Sequence, residues 1–292
     1  MTGATGFIGS FLVPELLGAG HRVVGLSRSE AGAATLTRAG AEVVRGDLND
    51  LDRLRRAAEA ADGVTHTAFD HGATNLAEGS ESDRTVVAAL GDALGPGRPL
   101  LISSGTALAR TQGRVAVETD EHVGSEEYPR AATEEAADAL GARGIDVITM
   151  RLSQVHDTRR QGRIGRHVAL AGQHGRVAYV GDGGNRVPAV HVSDAVRLYR
   201  LALENGRVGA RYHAVDEEGV ALRDIAEVLG AGLGLPVESI TPDEAPDYFG
   251  PLAGLAALDL PASSALTRHE LGWRPTGPGL LTDLRALDHD AA

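Results

Sequence analysis

The chain has 292 residues, 42% of them hydrophobic, and a formal net charge of -12, which allows a sizeable core in one large domain or in a nucleotide domain with a smaller second lobe. The acidic balance excludes a nucleic-acid partner, which needs a basic face, and the absence of cysteine removes disulfides and thiolate zinc sites. All 28 Lys+Arg residues are arginine, so every mechanism that needs a lysine is closed.

The chain opens on MTGATGFIGS, where Gly3, Gly6 and Gly9 form a glycine-rich loop leading into a helix over residues 11–17. Amide N–H groups and the dipole at such a helix start favour a dinucleotide pyrophosphate, placing Gly3, Thr5, Gly6, Phe7 and Ile8 on the cofactor. The next strand, 21–26, ends in Ser27-Arg28-Ser29. An arginine among hydroxyls suits a 2′-phosphate where a carboxylate would suit ribose hydroxyls, so NADP(H) is expected over NAD(H). After a strand at 41–44, the Asp47 side chain and the Leu48 amide are placed to hold the adenine edge. Asp47 also reads as an N-cap for a helix over 51–60. Strands at 63–67, 99–102 and 145–150 alternate with helices at 84–94 and 133–142, the pattern of βαβ units and a parallel sheet.

Beyond Arg151 the pattern loosens into strands at 177–180, 189–192 and 212–215 and helices at 193–204, 222–230 and 280–287. The expected division is a nucleotide domain over 1–152 with part of 185–215, and a smaller C-terminal substrate lobe from the remaining segments of 153–292. No apolar run reaches the roughly 20 residues of a membrane span and no signal-peptide pattern opens the chain, so no membrane partner and a cytoplasmic location are expected.

The segments TGATGFIGS, GDL at 46–48, HTAF at 66–69, LLISSGT at 100–106, VPAVHVSDAVRLY at 187–199 and LGWRP at 271–275 resemble the extended short-chain dehydrogenase/reductases, the NAD(P)-dependent epimerase/dehydratase family. The resemblance implies a Rossmann-like α/β fold, Thr67, Ala68 and Phe69 beside the cofactor, a small-molecule substrate in the C-terminal lobe, and a homodimer as an assembly the family allows. It also implies a catalytic tyrosine with a lysine four residues later, and a serine or threonine after the strand at 99–102. Ser103, Ser104 and Thr106 stand at that strand end. The helix that should carry the dyad reads Tyr128-Pro129-Arg130-Ala131-Ala132-Thr133-Glu134-Glu135. One register puts Arg130 and Glu134 at the two sites; the other uses Tyr128 and leaves Ala132 for the lysine. A tyrosine with a pKa near ~10 is a sluggish proton relay without a nearby cation. Tyr128 therefore either packs locally ahead of Pro129 or acts as an unassisted acid beside Arg130.

Ser104, Thr106 and Tyr128 are the catalytic candidates. No histidine pair has a metal-binding spacing, so no metal site is expected. His71 follows the cofactor-facing strand end, and Arg186 and His191 lie in a segment resembling the family's substrate side; these three are the substrate candidates. Three activities fit the missing dyad. The first is reduction of a ketone by NADPH, with the proton drawn from water or from a phenol or enol of the substrate, as in the atypical ketoreductases that tailor aromatic polyketide antibiotics, which the HTAF and SSGTAL segments also resemble. The second is nucleotide-sugar epimerisation or dehydration, and the third a catalytically silent dinucleotide sensor. Family members carry four or five apolar residues before the TG, forming a central strand. Without it, ladder groups inside a buried sheet would lack partners, so the natural chain is expected to begin a few residues upstream.

Overall fold

The computed structural model describes residues 1–70, 72–111 and 113–287. Elements follow in chain order: α1 (Phe7–Gly18), β1 (Val24–Ser27), α2 (Glu30–Ala39), β2 (Glu42–Arg45), α3 (Leu51–Glu59), β3 (Val64–His66), α4 (Leu76–Leu94), β4 (Leu100–Gly105), α5 (Ala132–Gly141) and β5 (Val147–Leu152). Then come β6 (Gln154–His156), α6 (Ile164–His174), β7 (Val177–Val180), β8 (Arg186–His191), α7 (Val192–Asn205), β9 (Arg211–Ala214), β10 (Glu217–Ala221), α8 (Leu222–Leu233), β11 (Val237–Ile240), α9 (Ala245–Phe249), α10 (Ala253–Ala256), α11 (Ala265–Leu271) and α12 (Leu280–Arg285).

Strands β3-β4-β5-β9 form a parallel sheet, and β1 pairs in parallel with β2. Met1 and Thr2 stitch the two together. The Leu26 amide donates to the Met1 carbonyl at 2.9 Å, the Thr2 amide donates to the Thr65 carbonyl at 3.1 Å, and Thr2 bridges His66 in parallel register. Two residues thus hold the central strand position between β1 and β3.

Period-two alternation along β4 and β5 distributes the core to both faces. Leu101, Ile148 and Met150 pack with α1 and α7 on one side, while Leu100, Ile102 and Val147 pack with α3, α4 and α5 on the other. This is the doubly wound α/β arrangement. The β4 triplet Leu100-Leu101-Ile102 has no exposed surface, and burial of such side chains stabilises by about 2 kcal/mol each. Past β5, the chain builds smaller units. In one, β8 lies between antiparallel β10 and parallel β6, and β11 pairs with β7. Their core joins α6, α8 and α12 through Ile164, Leu222, Ile225, Leu280 and Leu284. Among the described residues no helix is long and apolar enough to cross a membrane.

Candidate active site

The glycine loop is pinned to the end of β3. Gly3 has φ +66°, and a Cβ there would sit 2.5 Å from Thr67 Oγ1 and 2.6 Å from the Ala68 nitrogen; one on Gly9 would sit 2.0 Å from the Gly3 carbonyl. Thr67 Oγ1 donates to the Thr2 carbonyl at 3.0 Å, and Thr2 Oγ1 lies 2.7 Å from His66 Nδ1. Helix α1 follows Gly6, which as N-cap offers no side chain to its first amides. Its first amides, at Phe7 and Ile8, have no intrahelical acceptor, and both residues line a cleft of about 740 Å³. Uncapped donors at the positive end of a helix, on a loop too tight for side chains, fit a dinucleotide pyrophosphate.

Gly3, Thr5 and Gly6 line the same cleft. So do Ser27, Arg28, Asp47 and Leu48 toward one end, and Thr67, Ala68, Phe69 and Thr106 elsewhere along it. The Ser27 hydroxyl donates to the Ser29 carbonyl at 3.1 Å, and Arg28 is exposed with no hydrogen bond or ion pair among the described residues. Asp47 accepts from the Asn49 amide at 2.8 Å, so the helix cap before α3 falls to Asp50, which accepts from the Arg53 amide at 3.1 Å. The capping role expected for Asp47 thus belongs three residues further on, and Asp47 stays on the cleft.

The other candidates separate. Thr106, at the end of β4, is buried on the cleft wall, its hydroxyl 3.4 Å from the Leu152 carbonyl. Ser103 and Ser104 point to opposite faces of β4. Ser103 Oγ donates to the His66 carbonyl at 2.8 Å and lies 2.7 Å from the Tyr199 hydroxyl, while Ser104 Oγ donates to Glu134 Oε1 at 2.5 Å. Ser104 is therefore engaged between β4 and α5 and does not line the cleft. Tyr128 precedes a short 3₁₀ turn, Pro129–Ala131, and lies under the Arg110 guanidinium, 4.9 Å from its ring centroid. Arg186 makes three hydrogen bonds to Asp259, at 2.7, 2.8 and 3.1 Å. His191 caps α7 through Ser193 and lies edge-on to His156, with ring centroids 5.7 Å apart. His71 lies outside the described residues.

Glu134 is fully buried. It accepts from Arg151 Nε at 2.9 Å and Nη2 at 2.8 Å, and from Arg211 Nε at 3.2 Å. Burial works to raise its pKa, but the Arg151 hydrogen bonds and charge, with Ser104 and Arg211, outweigh it and hold the carboxyl below its ordinary range. Arg130 stacks over Phe69, 4.2 Å from the ring centroid, and donates to Asp83 Oδ2 at 2.9 Å. Asp83 Oδ1 in turn lies 2.8 Å from His66 Nε2. Burial opposes ionisation of Asp83, yet His66, Arg130 and Thr133 together bring its pKa down to about 2. A polar chain Thr2–His66–Asp83–Arg130 thus runs from the glycine loop to the start of α5.

Residues 1–216 match the model of the NAD dependent epimerase/dehydratase family. The chain belongs to this family. It is similar to the uncharacterized protein C2A9.02 of Schizosaccharomyces pombe, 41% identical over 286 residues that cover 97% of each chain. It is also similar to the 2-alkyl-3-oxoalkanoate reductase of Stenotrophomonas maltophilia, 27% identical over 81% of this chain and 76% of that protein. The fold is shared with the dTDP-glucose 4,6-dehydratase DesIV of Streptomyces venezuelae, solved with NAD bound: TM-score 0.76 at 23% identity, covering 98% of this chain and 95% of that one. Membership makes the protein an enzyme of oxidoreductase type that uses a nicotinamide cofactor.

In neither register do the residues of the expected dyad line the cleft. Arg130 and Glu134 are closed into ion pairs, and Tyr128 has Ala132 four residues on. Reading the sequence did not find Arg163, which lines the cleft at the start of α6, or Asp83 in α4. Asp83 carried no local signal because its partners are 17 and 47 residues away.

Proposed function

We propose that the protein is an NADPH-dependent ketone reductase that works without a tyrosine-lysine pair, with a hydroxylated aromatic polyketide ketone as the substrate class. The carrying observation is the closed ion pairing of Arg130 with Asp83 and of Glu134 with Arg151, which leaves no free base at the two positions of the expected dyad. Gly3, Thr5, Gly6, Phe7 and Ile8 would hold the pyrophosphate, Asp47 and Leu48 the adenine, Ser27 and Arg28 a 2′-phosphate, and Thr67, Ala68 and Phe69 the remaining wall. A nicotinamide bound there supplies the hydride that reduces the ketone carbon. The chain's own part is to orient the substrate oxygen, by a hydrogen bond from Thr106, and to exclude other reactions. The proton then comes from water or from a phenol or enol on the substrate, which needs no protein acid.

The competing reading is chemistry on a nucleotide sugar, favoured by the fold shared with a dTDP-glucose dehydratase. That chemistry begins by oxidising an alcohol, and the ion-paired Glu134 speaks against it. The deciding experiment follows NADPH oxidation in parallel with polycyclic hydroxyketones and ordinary ketones, and NAD-loaded turnover of dTDP-glucose and UDP-glucuronic acid. Sustained reduction of the hydroxyketones supports the proposal; turnover of a nucleotide sugar alone overturns it. Absence of turnover with all of them leaves the silent sensor as the better reading.

A further inference from the structure

Arg163 stands at the start of α6 and lines the cleft beside Ser153, Gln154 and Gly162. Its guanidinium has no hydrogen bond and no ion pair among the described residues. Every other arginine without such a partner lies on the exposed surface, whereas Arg163 is partly buried. The polar groups next to it are already engaged. Gln154 accepts from the Ile164 amide at 3.2 Å and donates to the Val155 carbonyl at 3.3 Å, and the Ser153 hydroxyl donates to the Ala214 carbonyl at 2.6 Å. Burial pushes the Arg163 guanidinium down in pKa, with Tyr128 the neighbour acting the other way. One turn along α6, His167 is driven to about 4 by burial and by the Arg163 charge, so it is neutral at pH 7 and adds no second cation. The carboxylates on the cleft, Asp47 and Asp70, accept instead from the amides of Asn49 and Gly72. A guanidinium held in a cleft without a counter-charge is a standing cost that a bound oxyanion removes, and its planar fork matches a carboxylate or phosphate in two parallel hydrogen bonds.

We propose that Arg163 is the anion-recognition residue of the substrate pocket, so that the substrate carries an oxyanion, a carboxylate or a phosphate, as well as its ketone. The inference deepens the ketone-reductase reading and rests on it for the word substrate; the binding of an anion is tested apart from turnover. With NADP⁺ saturating, so that the glycine loop and Arg28 are occupied, isothermal titration is run with three unreactive probes: 2-naphthoate, 2-naphthyl phosphate and methyl 2-naphthoate. The expected result is that one or both anions bind at least tenfold more tightly than the neutral ester. Arg163→Met should abolish that preference and Arg163→Lys restore part of it, while the melting temperature of Arg163→Met is unchanged or raised because no native partner is lost. The better-bound anion identifies the headgroup. Equal affinity for the anions and the ester, or an anion preference that survives Arg163→Met, overturns the proposal. A drop in melting temperature for Arg163→Met with Arg163→Lys fully stable but without anion preference also overturns it. If the anions bind through Arg163 yet no ketone is reduced, the ketone-reductase reading fails and the anion site stands.

Discussion

Glu134 and Arg151 meet in a bidentate ion pair in which neither side chain has any exposed surface, and this pair sits where the family's lysine would otherwise lie in one register of the α5 sequence. Glu134→Gln leaves Arg151 as a buried charge without its counter-ion, at a cost of about 3–5 kcal/mol. For a chain of this size that corresponds to a fall in Tm of roughly 6–15 °C. The double variant Glu134→Leu/Arg151→Met should recover most of the loss, because both charges leave together. Calorimetric melting of the three proteins decides it; a Glu134→Gln melt within 2 °C of the parent, about 1 kcal/mol or less on that scale, would count against the pair as a stabilising contact.

Acid sensitivity should trace to Asp83. Its folded pKa, about 2, is lower than its ordinary value of 3.8, so its contribution is present in full above pH 4 and is lost as the pH falls from about 4 to about 2. The size of that contribution is about 2 kcal/mol. Asp83→Asn should lower stability at pH 7 and flatten the stability profile between pH 4 and 2. Denaturant unfolding at stepped pH measures this, and parallel profiles for the parent and the variant would exclude Asp83 as the source.

Tyr128→Phe should keep most of the NADPH-dependent rate, within about threefold of the parent, since a group that does not line the cleft and has no lysine partner gives no large general-acid contribution. A collapse in kcat of a hundredfold or more, the size general-acid loss brings, would restore Tyr128 as the proton donor.

Arg28→Ala should weaken NADPH binding by tenfold or more, about 1.4 kcal/mol, and leave NADH little changed. Arg28 lines the cleft with its guanidinium free of other partners among the described residues, so the substitution removes nothing else. Equal losses for the two cofactors in fluorescence titration would refute the 2′-phosphate assignment.

That the residues expected to hold the cofactor share one cleft was legible because their signals are local. A glycine loop before a helix, Ser27-Arg28 at one strand end and Asp47-Leu48 at the next come together because a parallel sheet brings consecutive strand ends to one edge. Helix α4 was read from Arg84, but it starts at Leu76, with Asn75 capping the Glu78 amide; Gly79 and Ser80 dilute the apolar period there. Strands β6, β10 and β11 were not expected, since runs of three to five residues with polar groups among them have no clear alternation. The pairing of Ser104 with Glu134, 30 residues apart, and of Arg130 with Asp83, 47 apart, is invisible to any local pattern, so the sequence could not announce these contacts.

The two ion pairs also set which substitutions the fold accommodates singly. Arg130→Tyr alone strands Asp83 beside His66, and Glu134→Lys alone places a third cation against Arg151 and Arg211. Each single exchange toward a tyrosine or a lysine therefore leaves a buried charge mispaired at a cost in folding stability, and a concerted exchange that also rewrites Asp83 and Arg151 avoids it.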